Sequence, residues 1–169
     1  MTDALHDRPD QPALTRRQWL TAAGHTVLGA AVLGVAASPV LAAQPQAART
    51  MTVYKSPTCG CCKAWMEHVQ RAGITCVARD LPDLTETKAA FGIPRALESC
   101  HTAQIGRYLV EGHVPADLIL RLLREQPDAR GLAVPGMPIG SPGMEGGTPE
   151  KYDVLLFDRT GRTRVYASR

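Results

Sequence analysis

The segment MTVYKSPTCGCC, residues 51–62, joins a short apolar strand to a turn and then to three closely spaced cysteines. The strand is predicted over Met51–Tyr54, and the Ser-Pro-Thr that follows Lys55 supplies the turn. Beyond the turn, apolar side chains recur at helical spacing until Gly73, namely at Cys62, Trp65, Met66 and Val69. The cysteines therefore lie at a helix N-terminus, where free N–H groups and the helix dipole favour thiolate over thiol.

The first 42 residues have the pattern of an export signal rather than of a folded domain. Arg16 and Arg17 precede an apolar stretch over residues 22–37, and a cleavage site of small residues ends at Ala42. The pattern predicts a twin-arginine signal peptide over 1–42 and export to the periplasm. The apolar stretch falls short of the roughly 20 strongly apolar residues of a membrane-spanning helix, so an uncleaved anchor is the weaker alternative.

The remaining residues are enough for one domain with a core of its own and too few for two. We expect a linker over 43–50 and a single domain over 51–169. The formal net charge is only +3, and no cluster of Lys and Arg with interleaved aromatics gives a case for nucleic-acid binding. In an oxidising compartment, unprotected cysteines tend to pair or to be oxidised.

The pattern after the cysteine helix predicts an α/β domain. The predicted elements are a strand over 75–78, a helix over 85–91 capped by Thr85 and ended by Gly92, strands over 103–105 and 107–110, a helix between Pro115 and Pro127, and a hairpin of strands over 154–157 and 163–166. Residues 131–149 contain too much Gly and Pro for regular structure. A strand followed by Cys-x-x-Cys at a helix start predicts a thioredoxin-like fold, here with a C-terminal Gly/Pro/Met-rich loop and β-hairpin.

Thiolates at a helix start suit two kinds of chemistry, disulfide exchange and the binding of soft metals. Cys59 and Cys62 are three residues apart, so they point to one side and come within reach of a disulfide. A redox site needs only two thiols, so the third cysteine, Cys61, argues for metal. The alternative is a thiol–disulfide oxidoreductase with Cys59 as its nucleophile and Cys62 as its resolving thiol.

Further ligands are predicted later in the chain. Cys100 precedes a strand that we expect beside the first strand, so it could complete a set of four thiolates. His101 adds an imidazole, but neighbouring side chains on an extended chain point to opposite faces, so Cys100 and His101 are not expected to reach one centre together. His113 precedes a helix, and Met137 and Met144 lie in the Gly/Pro loop. Thiolates and thioethers together favour Cu(I), and four thiolates can bridge several ions.

Plainer roles compete with these assignments. The cysteine trio could be a structural disulfide with one spare thiol, or it could belong to a zinc site with four cysteine ligands. His113 could fix a turn by a hydrogen bond, and the two loop methionines could only pack the loop onto the core. Cys76 is predicted to be a buried strand residue, and Met66 to pack in the core. His68 lies about 10 Å along the helix axis from Cys61, too far to share its centre.

Four ordered motifs together resemble one family. The motifs are Cys59-x-Cys61-Cys62, Ser99-Cys100-His101-Thr102, Glu111-Gly112-His113-Val114-Pro115, and Gly136-Met137-Pro138 with Ser141-Pro142-Gly143-Met144. They are similar to those of the CopG-type periplasmic copper-resistance proteins, over about Met51 to Tyr166. The resemblance implies a thioredoxin-like fold that binds a cysteine-bridged multinuclear copper cluster through Cys59, Cys61, Cys62 and Cys100, with the Met and His motifs as supporting ligands. Cys76 matches none of these motifs.

The chain is therefore expected to be a periplasmic copper-binding protein of copper resistance that binds several Cu(I) ions. Four cysteine thiolates would bind the metal, and His113, Met137 and Met144 would complete the site, with His101 as a further candidate ligand. The resemblance also implies that the protein manages copper between Cu(I) and Cu(II), whereas a passive copper store is the alternative without turnover. Expected partners are copper ions and periplasmic copper-handling proteins, with no nucleic acid and no stable membrane insertion after signal cleavage.

Overall fold

The structure, a computed structural model, describes residues 49–169. The predicted signal peptide and all but the end of the predicted linker lie outside the described residues. The elements are β1 Thr50–Lys55, α1 Gly60–Arg71, β2 Thr75–Asp80, α2 Thr85–Phe91, β3 His101–Ile105, β4 Tyr108–Glu111, α3 Ala116–Glu125, β5 Gly131–Ala133, β6 Asp153–Phe157 and β7 Thr163–Ser168. None of the helices in this part of the chain is long and apolar enough to cross a membrane.

Seven strands form one mixed sheet in the order β2-β1-β3-β4-β5-β6-β7. The β1–β2 and β4–β5 pairs are parallel, and the other neighbouring pairs are antiparallel. The register of the central pair places Lys55, at the end of β1, opposite His101, at the start of β3. Because the chain runs from Lys55 into α1 and enters β3 from Cys100, this register brings the cysteine turn beside Cys100.

Side chains alternate between the two faces of the sheet, and each face has its own apolar cluster. One face packs Val53, Val110 and Leu132 together with Trp65 of α1 and Ile119 of α3. The opposite face packs the alternate strand residues with the segment that follows α2; this second cluster is Ile93, Leu97, Leu109, Ala133 and Phe157. The sheet is therefore covered on both sides, and α1 and α3 pack on the same face.

The prediction that residues 131–149 lack regular structure is wrong for Gly131–Ala133, which form β5. A Cβ atom at Gly131 would overlap the backbone of Leu109 on β4, so only glycine permits this close approach of the two strands. Three residues are too few to show an alternating pattern, so no local pattern marks this strand. It forms through its pairing with β4 and β6. The predicted C-terminal hairpin, β6–β7, consequently extends the main sheet.

Helix α2 spans the predicted residues, and the C-cap residue that ends it, Gly92, has a left-handed φ of 67°. The assignment of Thr85 as its cap is wrong, because the N-cap position is Leu84 and Thr85 is the first helical residue. The carboxylate of Asp83 accepts hydrogen bonds from the Thr85 N–H at 2.9 Å and from the Thr85 hydroxyl at 2.8 Å. The acidic residue ahead of the helix therefore supplies the acceptor.

Helix α1 is joined to the first residue of α3 and to the loop before it by two hydrogen bonds that the sequence did not predict. The indole Nε1–H of Trp65 donates to the carbonyl oxygen of Val114 at 2.9 Å. The first N–H of α3, at Ala116, donates to Nε2 of His68 at 3.1 Å. Burial, and next the charge of Arg71, lower the pKa of His68 below its usual value of 6.5. His68 is thus held neutral as an acceptor for a helix N-terminus, because a protonated ring has no lone pair to offer.

The His68 contact predicts a pH-dependent share of the stability. Since the folded protein binds the His68 proton more weakly than the unfolded chain does, this share is present above about pH 6.5 and is lost as the pH falls below it. We expect the free energy of unfolding of His68→Gln to change less between about pH 7.5 and about pH 5.5 than that of the wild type. Urea unfolding at both pH values measures the difference, and equal pH dependence in the two proteins would refute the assignment.

Candidate metal centre

Four cysteine sulfur atoms meet where β1 leads into α1 and where the chain enters β3. Cys59 occupies the N-cap of α1, and its Sγ accepts a hydrogen bond from the Cys62 N–H at 3.3 Å. The Sγ of Cys61 lies 3.4 Å from that of Cys59 and 3.9 Å from that of Cys100, and the Sγ of Cys62 lies 3.7 Å from that of Cys100. The four Sγ atoms all lie within 4.8 Å of one another. The structure brings together the four thiols that the sequence selected.

Two of these sulfurs are bonded to each other in this structure, as the Cys59–Cys62 disulfide. Cys61, Cys76 and Cys100 are free thiols. The disulfide agrees with the reach expected of Cys-x-x-Cys at a helix start. A bonded pair of sulfurs offers no thiolates, so the full set of four thiolates exists only when Cys59 and Cys62 are reduced.

His113 joins this centre through its contact with Cys100. Its Nε2 lies 2.9 Å from the Cys100 Sγ, and its Nδ1 lies 2.7 Å from the carbonyl oxygen of Pro142. A carbonyl only accepts, so Nδ1 carries the proton and Nε2 presents its lone pair to the sulfur side. The His113 side chain is buried, and burial lowers its pKa. A neutral imidazole with one nitrogen fixed by a carbonyl has the arrangement usual for a metal ligand.

His101 also reaches the centre, contrary to the expectation that Cys100 and His101 would face opposite ways. Its Nδ1 lies 3.3 Å from the Cys100 Sγ. Cys100 lies in a bend before the first residue of β3, so strand alternation has not yet begun there. One ligand atom each from Cys100, His101 and His113 forms a second group within 4.8 Å.

The His101 ring is buried between the rings of Trp65 and His113. The ring is fully buried and lies 4.2 Å from the Trp65 ring, centroid to centroid. Burial, and next the neighbouring His113, lower its pKa well below the usual value. Within residues 49–169, Nε2 of His101 is the one buried side-chain nitrogen or oxygen without a hydrogen-bond partner. A buried nitrogen without a partner is uncommon and calls for a ligand or water.

The Gly/Pro/Met-rich loop packs against α1 and His113 beside the centre. A Cβ atom at Gly143 would lie 2.6 Å from the Cys61 carbonyl oxygen and 2.8 Å from the Trp65 nitrogen, so the loop backbone rests directly on the first turns of α1. Met144 follows this contact and is half-buried. Met137 lies farther out and is 51% exposed. The sequence selected the methionines but missed the carbonyl of Pro142, because a backbone acceptor leaves no residue-type signal.

Cys100 and Cys76 are both free, partly buried thiols, but only Cys100 belongs to the candidate site. Burial, and next the charge of Cys61, raise the pKa of Cys100 to about 12. Cys100 therefore loses its proton at neutral pH only if a cation compensates for the burial. Cys76, on β2, belongs to neither ligand group and packs at the edge of the core; burial raises its pKa to about 11. His68 lies outside both ligand groups, and Met66 packs on the core, as the sequence predicted.

The donors fit a soft metal better than a hard one. Four sulfurs and two neutral imidazoles converge, and neither group of candidate ligands contains a carboxylate. Thiolate and imidazole ligands select copper, zinc and other late transition metals over Mg²⁺ or Ca²⁺. The two groups of candidate ligands therefore have the chemistry to hold a soft or borderline metal ion.

The Gly143 contact predicts that loop and helix separate when a methyl group is added. Gly143→Ala should lower the free energy of unfolding by about 1–3 kcal/mol more than Gly146→Ala does. Both glycines have positive φ, 85° and 108°, so both variants carry similar backbone strain, but a Cβ atom at Gly146 meets nothing within 4 Å. Denaturant unfolding measures both, and equal losses would show that the loop does not rest on α1.

Comparison with known proteins places this arrangement in a family. The sequence family described as "Protein of unknown function, DUF411" matches residues 97–144. No curated protein matches the chain. A solved structure of copper resistance protein copG, form 1, is 42% identical and has a TM-score of 0.67, covering 71% of this chain and 96% of its own.

A second solved structure, form 2 of the same protein, is also 42% identical, has a TM-score of 0.68, and covers 71% of this chain and 97% of its own. Identity at this level, over nearly the whole length of these relatives, exceeds what a shared fold alone would produce. The chain belongs to the CopG-type copper-resistance family.

Proposed function

We propose that this protein binds Cu(I) in copper resistance, through the thiolates of Cys59, Cys61, Cys62 and Cys100. The observation that carries the proposal is the convergence of all four Sγ atoms within 4.8 Å from two segments far apart in the chain. Both solved structures are of one protein that is named as a copper resistance protein, which supports copper as the metal. The competing zinc assignment is weaker, because structural zinc usually uses two well-separated Cys-x-x-Cys arms and this chain has one.

The site would hold several copper ions rather than one. Four sulfurs and the nitrogens of His101 and His113 exceed the four ligands of a tetrahedral ion. Cys100 belongs to both ligand groups, and a thiolate shared between groups can bridge neighbouring ions. Met144, beside the loop contact on α1, and Met137, at the surface, would supply thioether ligands that suit Cu(I).

The fold around this site would be thioredoxin-like. Support comes from the strand order β2-β1-β3-β4, with β1 and β2 parallel around α1 and with β3 antiparallel to both of its neighbours. The Cys-x-x-Cys pair at the start of α1 has the position that this fold uses for redox chemistry. Strands β5, β6 and β7 then extend that four-stranded unit.

The protein would act in the periplasm after export by the twin-arginine route. Arg16 and Arg17 ahead of an apolar stretch, and the cleavage site at Ala42, support this part of the proposal. The domain over 51–169 would be the mature copper-binding unit after a linker over 43–50. Its partners would be copper ions and copper-handling proteins of the same compartment.

A redox role for the thiols is part of the proposal. Oxidation of the Cys59 and Cys62 thiols to their disulfide releases two electrons and two protons, and these electrons reduce two Cu(II) ions to two Cu(I) ions. This step consumes the Cys59 and Cys62 thiolates, so binding of Cu(I) by all four cysteines then requires that a further thiol reduce the disulfide again. Stopped-flow mixing of the reduced protein with Cu(II) would distinguish this activity from a passive copper store.

Replacement of single cysteines tests the copper site. We expect Cys61→Ser and Cys100→Ser each to lose most of the bound copper, because each removes a thiolate from the shared centre, while the fold is retained. Cys76→Ser is the matched control, since Cys76 is also a free, partly buried thiol but lies outside both ligand groups. Metal analysis of protein recovered from copper-stressed cells measures the content. Unchanged copper in Cys61→Ser would reject the proposed site, and one zinc per chain would favour the zinc alternative.

The Cys59–Cys62 disulfide supports a second candidate function, thiol–disulfide exchange. In that case reduction of a disulfide substrate such as insulin would require Cys59 and Cys62 and would survive the loss of Cys61 and Cys100. For the copper protein we expect weak insulin reduction by the wild type. Full activity in a Cys61→Ser, Cys100→Ser double variant would favour the oxidoreductase instead.

A further inference from the structure

A buried ion pair, formed by Lys88 and Glu111, is hydrogen-bonded to the segment that carries Cys100. The carboxylate of Glu111, on β4, is fully buried, and Lys88, on α2, is 6% exposed. The Lys88 ammonium donates a hydrogen bond to Oε1 of Glu111. Neither side chain belongs to the two groups of candidate metal ligands. Glu111 lies in one of the four sequence motifs, but no residue pattern gave it a role, and Lys88 lies in none of them.

The Glu111 carboxylate holds both ends of the four-residue segment Ser99–Thr102. Its Oε1 accepts from the Ser99 backbone N–H at 2.7 Å, and its Oε2 accepts from the Thr102 hydroxyl at 2.6 Å. The Thr102 oxygen in turn accepts from Lys88 at 3.0 Å. The two residues between these anchors are Cys100 and His101, both candidate ligands.

The backbone beside Glu111 continues this attachment. The Gly112 N–H donates to the carbonyl oxygen of His101 at 3.0 Å. A Cβ atom at Gly112 would lie 2.5 Å from both the Ser99 Oγ and the Val134 carbonyl oxygen, so only glycine lets the chains approach this closely. His113 follows at once. The segment of Cys100 and the ring of His113 are therefore positioned by one short stretch of chain at the end of β4.

Stability alone is a poor explanation for this network. The burial of two opposite charges costs desolvation energy that their attraction often fails to offset, and apolar replacements of similar size are frequently neutral or stabilising. Burial raises the pKa of Glu111, which is the expected sign of that desolvation cost. Apolar side chains in place of this network could not supply an acceptor for the Ser99 N–H.

We propose that Glu111, assisted by Lys88 and Thr102, is a positioning residue that holds the Cys100 segment against the cysteine turn. Its carboxylate acts through the Ser99 N–H and the Thr102 hydroxyl and does not contact the metal. The inference deepens the proposed copper function and rests on it for its consequence in metal binding. The placement of Cys100 itself does not depend on metal.

Two variants separate positioning from stability. The triple variant Lys88→Met, Thr102→Val, Glu111→Met replaces the whole polar network by apolar groups of similar shape, so it should fold with a free energy of unfolding near the wild-type value. It leaves the Ser99 N–H without its acceptor. Glu111→Gln has the opposite effect: it leaves the Lys88 charge unpaired and lowers stability, but its amide oxygen can still accept from Ser99. Tyr108→Phe, at the other end of β4, removes a buried hydroxyl bonded to the Pro127 carbonyl and serves as control.

The primary measurement is the alkylation rate of Cys100 in the reduced, metal-free mature protein, followed by mass spectrometry. We expect the rate to rise several-fold in the triple variant and to stay near wild type in Glu111→Gln and in the control, so that alkylation and stability rank the variants differently. The second measurement is Cu(I) affinity by chelator competition, which should fall about 10- to 100-fold in the triple variant.

An unchanged Cys100 alkylation rate in a folded triple variant would overturn the inference, whatever the copper result. If the triple variant does not fold, Glu111→Gln decides: faster alkylation of Cys100 that merely follows its loss of stability would also overturn it. Failure of the wild type to bind copper would reject the proposed function and leave the alkylation comparison to judge the positioning role.

Discussion

The antiparallel pairing of β1 with β3 is the interaction on which the site depends. Lys55 lies opposite His101 in that register, so the residues that follow Lys55 and the residue that precedes His101 meet at the same end of the sheet. A shift of the register by one residue would turn the alternating side chains to the wrong faces. The four sulfurs meet only because the buried faces of β1 and β3 fix this alignment.

The surroundings of the sulfurs determine what they can bind. His101 and His113 are buried and neutral, so each has a lone pair for a metal rather than a charge that would repel it. The raised pKa of Cys100 has the matching consequence, because a thiolate at that position needs a cation beside it. A buried centre of this kind is therefore poorly suited to remain fully ionised without a cation beside it.

Further contacts surround the candidate ligands, and they come from residues outside the two ligand groups. The Pro142 carbonyl sets the tautomer of His113, the backbone at Gly143 rests on α1, and the Glu111 carboxylate holds Ser99. The disulfide adds a redox dependence, since bonded Cys59 and Cys62 offer no thiolates. The geometry, the protonation and the oxidation state of the centre therefore depend on the same few residues.

Local chemistry in the sequence was sufficient for part of this result. Spacing and turn residues predicted α1, α3, the β3–β4 hairpin and the set of four cysteines, because each rests on a pattern within a few residues or on the rarity of thiols. Contacts between distant segments decided the rest. Strand β5 forms because Gly131 allows close packing on β4, and His101 reaches the site because Cys100 lies in a bend. Likewise, Lys88 and Glu111 become partners only when α2 packs against β4, and no single-sequence pattern encodes the distance between them.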